Sequence, residues 1–208
     1  MTKKERAKIV VAKLDEFYPN LDKCYLNYTQ EYELLFATIL SAQCTDDRVN
    51  LVTKDLFQKY KTLEDYCSAN ILDLEQDVRS TGFYRNKAKS LQESAFLLLE
   101  KHNGILPSDI ESLTALSGVG RKTANVVRSH IFKIESIVVD THVKRISNKL
   151  GLTINSDPVK IEFDLMKILP KEAWIRYNQQ VIAHGRKVCT ARSPKCDICG
   201  FRDICVSK

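Results

Sequence analysis

The segment LSGVGRKTANVV, residues 116–127, places a lysine where it could act as a nucleophile. Arg121 and Lys122 stand side by side at the start of a run of helix-forming residues, where the helix dipole disfavours cations. That dipole, the neighbouring Arg121 and burial against an apolar helix would each favour the neutral amine of Lys122. Because only a neutral amine is a nucleophile, Lys122 is a candidate catalytic residue.

The same segment could also bind phosphate. A helix, a turn made by Gly118, Val119 and Gly120, and a second helix form a helix-hairpin-helix, because glycine permits so tight a turn. The backbone N–H groups that begin the second helix form an anion site, and Arg121 adds positive charge. Such a hairpin would grip a nucleic-acid backbone without sequence specificity. The residues alone leave two simpler interpretations open: a solvated turn, or Lys122 as one more phosphate contact.

Four of the seven cysteines crowd the C-terminal end with the spacing C-x6-C-x2-C-x5-C. Four thiolates bind zinc or an iron–sulfur cluster. Zinc sites usually contain two pairs of ligands, and the two ligands of each pair lie only a few residues apart in the sequence. The longer gaps between the cysteines here slightly favour a group larger than a zinc ion. A disulfide is the least favoured alternative, because we expect the protein to lie in a reducing compartment. The other three cysteines are scattered and are expected to be buried or half-buried residues without a function. The crowded four are Cys189, Cys196, Cys199 and Cys205.

Composition excludes few functions. The 32 Lys and Arg residues against 26 Asp and Glu give a formal net charge of +6, which suits a polyanionic partner without requiring one. No apolar run approaches the roughly 18 residues needed to span a membrane. The apolar stretch 9–12 is too short for a signal peptide. We therefore expect a protein that is neither secreted nor in a membrane.

The elements that must position these residues are predicted to be helices. Apolar residues recur at three- and four-residue spacing in 31–42 and 86–102, which is typical of helices with one buried face. Further helices are expected after Pro158 and Pro170. Because no segment shows sustained alternation, we predict an all-α fold.

Two shorter segments bear on the candidate site. Ser108 and Glu111 form a capping-box pattern, which predicts a short helix that runs to the turn at Gly118. Residues 135–140 are rich in β-branched side chains, but the segment is short and isolated, so we expect a buried extended linker. Asp140 ends it as a good N-cap for the helix that follows.

Together, these segments resemble the endonuclease III family, helix-hairpin-helix DNA glycosylases that carry an iron–sulfur cluster. The resemblance covers essentially the whole chain, in the order and spacing of the family. The four matching segments are LSAQCTDDRVN (40–50), LSGVGRKTANVV (116–127), VVDTHVKRISNKLG (138–151) and HGRKVCTARSPKCDICGFRDIC (184–205).

The resemblance implies a bifunctional DNA glycosylase and AP lyase of base excision repair, acting on double-stranded DNA with oxidised pyrimidines or abasic sites. The damaged base is flipped out of the duplex. Lys122 would attack C1′ and form a Schiff base, and β-elimination would cut the strand. Asp140 would stay ionised and stabilise positive charge on the sugar. Relatives that only excise the base lack a lysine at that position.

Further DNA contacts are implied by the same resemblance. Gln43 would fill the hole left by the flipped nucleotide, although it could be a plain loop residue. Phe83 would be an apolar wedge where the family often has leucine, and the alternative is a core aromatic beside Gly82. His142 would have a supporting polar role.

The resemblance also implies a [4Fe–4S] cluster held by the four crowded cysteines, mainly as a structural element. A basic loop lies around the first long gap and would bind phosphate. Its cations are Arg186, Lys187, Arg192 and Lys195.

The implied architecture has two helical lobes, 22–132 ending in the hairpin and 1–21 joined to 133–208, with DNA between them. We expect a monomer in the cytoplasm, at the nucleoid if the protein is bacterial. The alternative is a non-catalytic DNA-binding module with a structural zinc knuckle. The combination of Lys122 and Asp140 argues against it, because a pure binder needs no buried carboxylate near its phosphate site.

Overall fold

The structure is a computed structural model that describes residues 1–19, 21 and 24–207. Over these residues it contains eleven α-helices and no β-strand, so the predicted all-α fold is confirmed. Within the same ranges, no helix has the length and apolar character that crossing a bilayer requires. In chain order the helices are α1 (Lys3–Phe17), α2 (Glu31–Leu40), α3 (Asp46–Lys59), α4 (Leu63–Ser68), α5 (Ile71–Asp77), α6 (Tyr84–His102), α7 (Ile110–Thr114), α8 (Arg121–His130), α9 (Thr141–Lys149), α10 (Pro158–Ile168) and α11 (Trp174–Lys187).

The chain folds into two compact units. The hairpin unit comprises residues 24–133 and contains α2 to α8. The cysteine unit comprises residues 134–207 and the described residues before 24, and it contains α1 and α9 to α11. Residue 22, at which the predicted first lobe begins, lies outside the described residues, so that boundary stays a prediction.

The core of the hairpin unit surrounds α2. Every residue of α2 from Glu33 to Leu40 is buried, as expected for a helix that is apolar nearly all round. Helix α2 packs against α3, α6 and α8, and α6 packs in turn against α4 and α5. The buried carboxylate of Glu33 accepts hydrogen bonds from the backbone N–H groups of Thr29 (2.6 Å) and Gln30 (2.9 Å) at the helix N-terminus, where negative charge is favourable.

The cysteine unit joins the first helix of the chain to the last three. Helix α1 packs its buried face, which includes Val10 and Leu14, against α10 and α11. The guanidinium of Arg176 in α11 binds the carboxylate of Asp15 in α1 through two hydrogen bonds, of 2.8 and 3.1 Å. That pair lowers the pKa of Asp15 and fixes the two helices side by side.

The predicted linker and caps are mostly confirmed. Residues 135–140 contain no strand, and Ile137 to Val139 are buried. The predicted cap at Ser108 is wrong, because Asp109 begins the helix: its Oδ1 accepts the N–H of Ser112 at 2.7 Å. A carboxylate also complements the helix dipole, which a hydroxyl does not.

Tyr66 and Tyr60 provide a matched test of core energetics. Tyr66 is fully buried, and its hydroxyl has no hydrogen-bond partner in the described part of the chain. Tyr60 donates to Oδ2 of Asp77 at 2.9 Å. We expect Tyr66→Phe to raise the free energy of unfolding by about 1 kcal/mol, because it removes a desolvated polar group, and Tyr60→Phe to lower it by about 1 kcal/mol. Urea denaturation measures both, and equal losses in the two variants would contradict the prediction.

Candidate active site and metal centre

A tight glycine turn connects α7 to α8 and forms the predicted hairpin. Gly118 has φ +74°, and a Cβ added there would lie 2.7 Å from Oγ of Ser90. Gly120 has open space around it and offers no side chain to cap the first N–H groups of α8. Val119 is buried, and its N–H donates to the carbonyl of Leu116 at 3.2 Å, which closes the turn. The arrangement is the one that an anion site at a helix N-terminus requires.

Lys122 lies in the first turn of α8, after Arg121. The structure leaves Lys122 exposed, so the predicted burial against an apolar helix is wrong. The reason is the register of α8, which turns Ala124 and Val127 into the core and Lys122 away from it.

A polar edge of α6, formed by Ser90, Glu93 and Ser94, holds the hairpin turn. Oγ of Ser94 donates to the carbonyl of Ser117 at 2.9 Å, and Oγ of Ser117 donates to Oε2 of Glu93 at 2.6 Å. Ser90 occupies the space against Gly118. The turn is therefore fixed by two hydrogen bonds and one close backbone approach.

Asp140 lies in the cysteine unit as the N-cap of α9. Its Oδ1 accepts the N–H of Val143 at 2.7 Å, as predicted for a cap. Its Oδ2 makes no hydrogen bond or ion pair within the described residues, and the side chain is half-buried. The preceding segment is fixed by Nδ2 of Asn178, which donates to the carbonyl of Val138 at 3.0 Å. One carboxylate oxygen is thus structural and the other is available.

His142 packs between α9 and α11. A Cβ on Gly185 would lie 2.3 Å from Nδ1 of His142, so the glycine makes room for the imidazole. The guanidinium of Arg145 lies 3.4 Å from the same nitrogen. This placement suits the supporting polar role that the sequence predicts.

Gln43 and Phe83 both adopt left-handed backbone in the hairpin unit, with φ of +53° and +46°. Such conformations cost non-glycine residues on the order of 1–3 kcal/mol each and cluster at functional sites. Gln43 is exposed, and Phe83 is 65% exposed. The alternative of Phe83 as a core aromatic is therefore wrong.

The four crowded cysteines meet around one cavity of about 240 Å³, which Lys195 also lines. Among the described residues, no three His, Cys, Asp or Glu side chains are arranged to hold a metal ion. A zinc knuckle would need its ligands close around one ion, whereas a cavity ringed by four thiols has room for a larger group. The other three cysteines, Cys24, Cys44 and Cys67, are half-buried, as predicted.

A buried histidine contacts this cavity wall. Nε2 of His184 lies 3.7 Å from Sγ of Cys199, and Nδ1 lies 3.0 Å from the hydroxyl of Tyr18. Burial lowers the pKa of His184 to about 4, so the imidazole is neutral. One ring nitrogen therefore lies at the hydroxyl of Tyr18 and the other at the sulfur of Cys199.

Three cations that the sequence analysis missed bind backbone carbonyls of the cysteine loop. Nζ of Lys13 donates to the carbonyl of Gly200 at 2.7 Å, and Nη2 of Arg145 donates to that of Cys189 at 2.6 Å. The guanidinium of Arg6 binds the carbonyl of Ile204. The one available signal was the seven-residue spacing of Arg6 and Lys13, which places them on one face of α1.

By contrast, the predicted phosphate-binding cations are all exposed: Arg186, Lys187, Arg192 and Lys195.

Family models match most of the chain. Residues 36–171 match the HhH-GPD superfamily base excision DNA repair protein, and residues 189–205 match the iron-sulfur binding domain of endonuclease III. The fold and the site therefore define a helix-hairpin-helix protein of base excision repair.

Known relatives narrow that class. Endonuclease III of Synechocystis sp. is 46% identical over 207 residues, which cover 99% of this chain and 94% of the relative. Endonuclease III of Bacillus subtilis is 45% identical over 194 residues, covering 93% and 88%. A solved trapped endonuclease III–DNA covalent intermediate matches with TM-score 0.94 and 43% identity, over 99% of this chain and 96% of that one. A thermostable thymine-DNA glycosylase, 22% identical with TM-score 0.85, shares the fold.

The chain belongs to the endonuclease III family. The predicted activity, that of a bifunctional DNA glycosylase and AP lyase, is thereby confirmed, and the non-catalytic module is not favoured. The C-terminal cysteines lie in an iron–sulfur binding domain.

The two hairpin glycines allow a matched test. Gly118→Ala should lower the free energy of unfolding by about 1–3 kcal/mol, because its φ is positive and its Cβ would meet Ser90. Gly120→Ala should change stability by less than about 0.5 kcal/mol, since no atom lies within 4 Å of its Cβ. Thermal denaturation compares the two, and equal stability would contradict the close approach to α6.

Proposed function

We propose that this enzyme excises oxidised pyrimidines from double-stranded DNA through a Schiff base on Lys122 and then cuts the strand 3′ to the lesion. The observation that carries the proposal is the position of Lys122. Lys122 is exposed in the first turn of α8, directly after a glycine turn that has open space at Gly120. The trapped covalent DNA complex of the 43%-identical relative supports a covalent route.

The proposed chemistry balances without an oxidant or reductant. The neutral amine of Lys122 attacks C1′, the C1′–N bond breaks, and the base leaves with the electron pair and takes up a proton. The sugar ring then opens at O4′, which is protonated, and leaves a protonated imine. Loss of the C2′ proton expels the 3′ phosphate by β-elimination, and water hydrolyses the imine to restore Lys122.

Asp140 supplies the charge that these steps need. Oδ1 is held by the α9 cap, and Oδ2 is available to accept a proton from the amine or to stabilise positive charge on the sugar. Because Oδ1 accepts the hydrogen bond of the cap, the structural role of Asp140 uses Oδ1 and its proposed catalytic role uses Oδ2.

Recognition would combine phosphate contacts with insertion into the duplex. The backbone at Gly118, Val119 and Gly120 would bind a phosphate with Arg121. Gln43 and Phe83 would enter the space beside the flipped nucleotide. His142 would support the Asp140 segment from α9, and the exposed cations of the cysteine loop would bind further phosphates.

We propose further that the cysteine cavity holds a [4Fe–4S] cluster. Cys189, Cys196, Cys199 and Cys205 would be its ligands, and the cavity of about 240 Å³ fits a group larger than one ion. When bound, such a cluster supplies a four-point crosslink of the loop. The reaction itself uses only the side chains described above. The monomeric state and the cytoplasmic location stay predictions of the sequence.

Borohydride trapping tests the nucleophile. We expect a covalent protein–DNA band with duplexes that carry an abasic site or an oxidised pyrimidine, none with undamaged DNA, and none from Lys122→Ala. The matched control is Lys160→Ala, which removes an exposed lysine from the first turn of α10. A band of undiminished intensity in Lys122→Ala would move the nucleophile to another amine, and a band only with abasic DNA would overturn the pyrimidine substrate.

A second pair of variants separates capping from catalysis at Asp140. Asp157 is also an aspartate N-cap, accepting the N–H of Lys160 at 2.9 Å. Asparagine caps about as well as aspartate, so Asp140→Asn and Asp157→Asn should both retain their stability. Only Asp140→Asn should slow trapping, by roughly 100-fold or more, because it alone loses a catalytic charge. Equal trapping rates in the two variants would reduce Asp140 to a cap.

Metal analysis tests the cluster. We expect about four iron and four acid-labile sulfide per chain, the content of a [4Fe–4S] cluster. Cys205→Ser should lose iron, whereas Cys67→Ser, which removes a half-buried cysteine of the hairpin unit, should retain it. Zinc in place of iron would overturn the assignment.

A further inference from the structure

Lys87 is a buried lysine that the proposed chemistry does not use. It lies in the first turns of α6 and is 5% exposed. Within the described residues it pairs with no carboxylate. Burial lowers its pKa, against an opposing contribution from Cys44. A lysine kept in so unfavourable a place calls for a structural or functional reason.

The ammonium of Lys87 joins the ends of two separate elements. Its Nζ donates to the carbonyl of Leu40 at 2.8 Å and to that of Thr81 at 2.7 Å. Leu40 is the last residue of α2, and Thr81 is the last residue of a short 3-10 turn. Carbonyls at such ends have no partner within their own helix and carry partial negative charge, so a cation there is favourable.

A non-glycine residue with left-handed backbone follows shortly after each of these two helix ends. Gln43 follows Leu40 by three residues, and Phe83 follows Thr81 by two. The backbone N–H of Lys87 also donates to the carbonyl of Phe83, at 3.1 Å. The Lys87 ammonium therefore fixes the base of the Gln43 loop and the base of the Phe83 loop, while the helical bond from its N–H, which any residue except proline would make, ties α6 to Phe83.

The hairpin turn is held separately. Ser90, Glu93 and Ser94 contact residues 117 and 118, whereas Lys87 lies one turn earlier on α6 and contacts neither. Loss of the Lys87 ammonium should therefore disturb the two insertion loops without disturbing the hairpin. This separation makes the contribution of Lys87 measurable.

We infer that Lys87 is a positioning residue that sets the distance between the Gln43 and Phe83 loops, so that both enter the duplex together at a damaged site. The inference rests on the proposed insertion of Gln43 and Phe83. It predicts a loss of preference for damaged DNA rather than a loss of DNA binding, because the hairpin supplies binding to any duplex.

Lys87→Met tests the inference, since methionine fills similar space without a donor. Fluorescence anisotropy gives the affinities for an undamaged duplex and for one with a stable abasic analogue. We expect Lys87→Met to lower the preference for the abasic duplex at least about tenfold, with affinity for undamaged DNA within about twofold. Lys101→Met, an exposed lysine in the last turn of α6, is the control and should change neither affinity.

Two further measurements separate positioning from general destabilisation. Hydrogen exchange should accelerate in segments 41–44 and 79–84 of Lys87→Met and stay unchanged at 117–120. In a chain that also carries Gln43→Ala and Phe83→Ala, Lys87→Met should lower the preference for the abasic duplex by no more than about a further twofold, because the side chains that it positions are already absent. Lys87→Arg keeps the positive charge on a side chain of different length and provides a second folded variant. It should lower the preference for the abasic duplex less than Lys87→Met does.

The outcomes are distinct. Three results would overturn the positioning role while the wild-type enzyme still traps abasic DNA. Lys87→Met could lose equal affinity for both duplexes, or leave hydrogen exchange unchanged in either loop. Its effect on the preference for abasic DNA could also add fully to that of the loop variants. Failure of the wild-type enzyme to trap abasic DNA would overturn the proposed function instead.

Discussion

The close approach of Gly118 to Ser90 is the constraint on which the arrangement of the hairpin unit depends. With 2.7 Å between Oγ of Ser90 and the position of a Cβ, the turn can lie against α6 only as glycine. The hydrogen bonds from Ser94 and to Glu93 then fix the turn in register with α6. Since α8 begins at the next residues, the direction of Lys122 follows from a contact on another helix.

The cations of this chain differ in burial and in partners, since Lys87 is buried and Lys13 and Arg145 are half-buried, whereas Lys122 is exposed. Lys87, Lys13 and Arg145 donate to backbone carbonyls where helices or loops end, and they hold those ends in place. The cations of the cysteine loop and Lys122 stay exposed. A net charge of +6 is therefore a poor guide to DNA affinity, because part of the positive charge is used inside the fold.

Most of the fold could be predicted from the sequence, because apolar periodicity and caps are local signals. The helices around 31–42 and 86–102, the buried linker before Asp140 and its cap were all predicted correctly. The burial of Lys122 was predicted wrongly, since it depends on which face of α8 meets the core. The roles of Lys87 and Lys13 could not be predicted, because their partners are backbone carbonyls, which every residue has and no sequence pattern marks.

The cysteine unit is assembled from two ends of the chain, and this has a consequence for biosynthesis. Arg6 and Lys13 in α1 bind carbonyls 198 and 187 residues later. During translation α1 emerges before the hairpin unit, residues 24–133, and these carbonyl partners are made only after that unit. The cysteine cavity can thus form only after the hairpin unit has been made, because the four cysteines and two of the cations that fix their loop lie on opposite sides of that unit in the sequence.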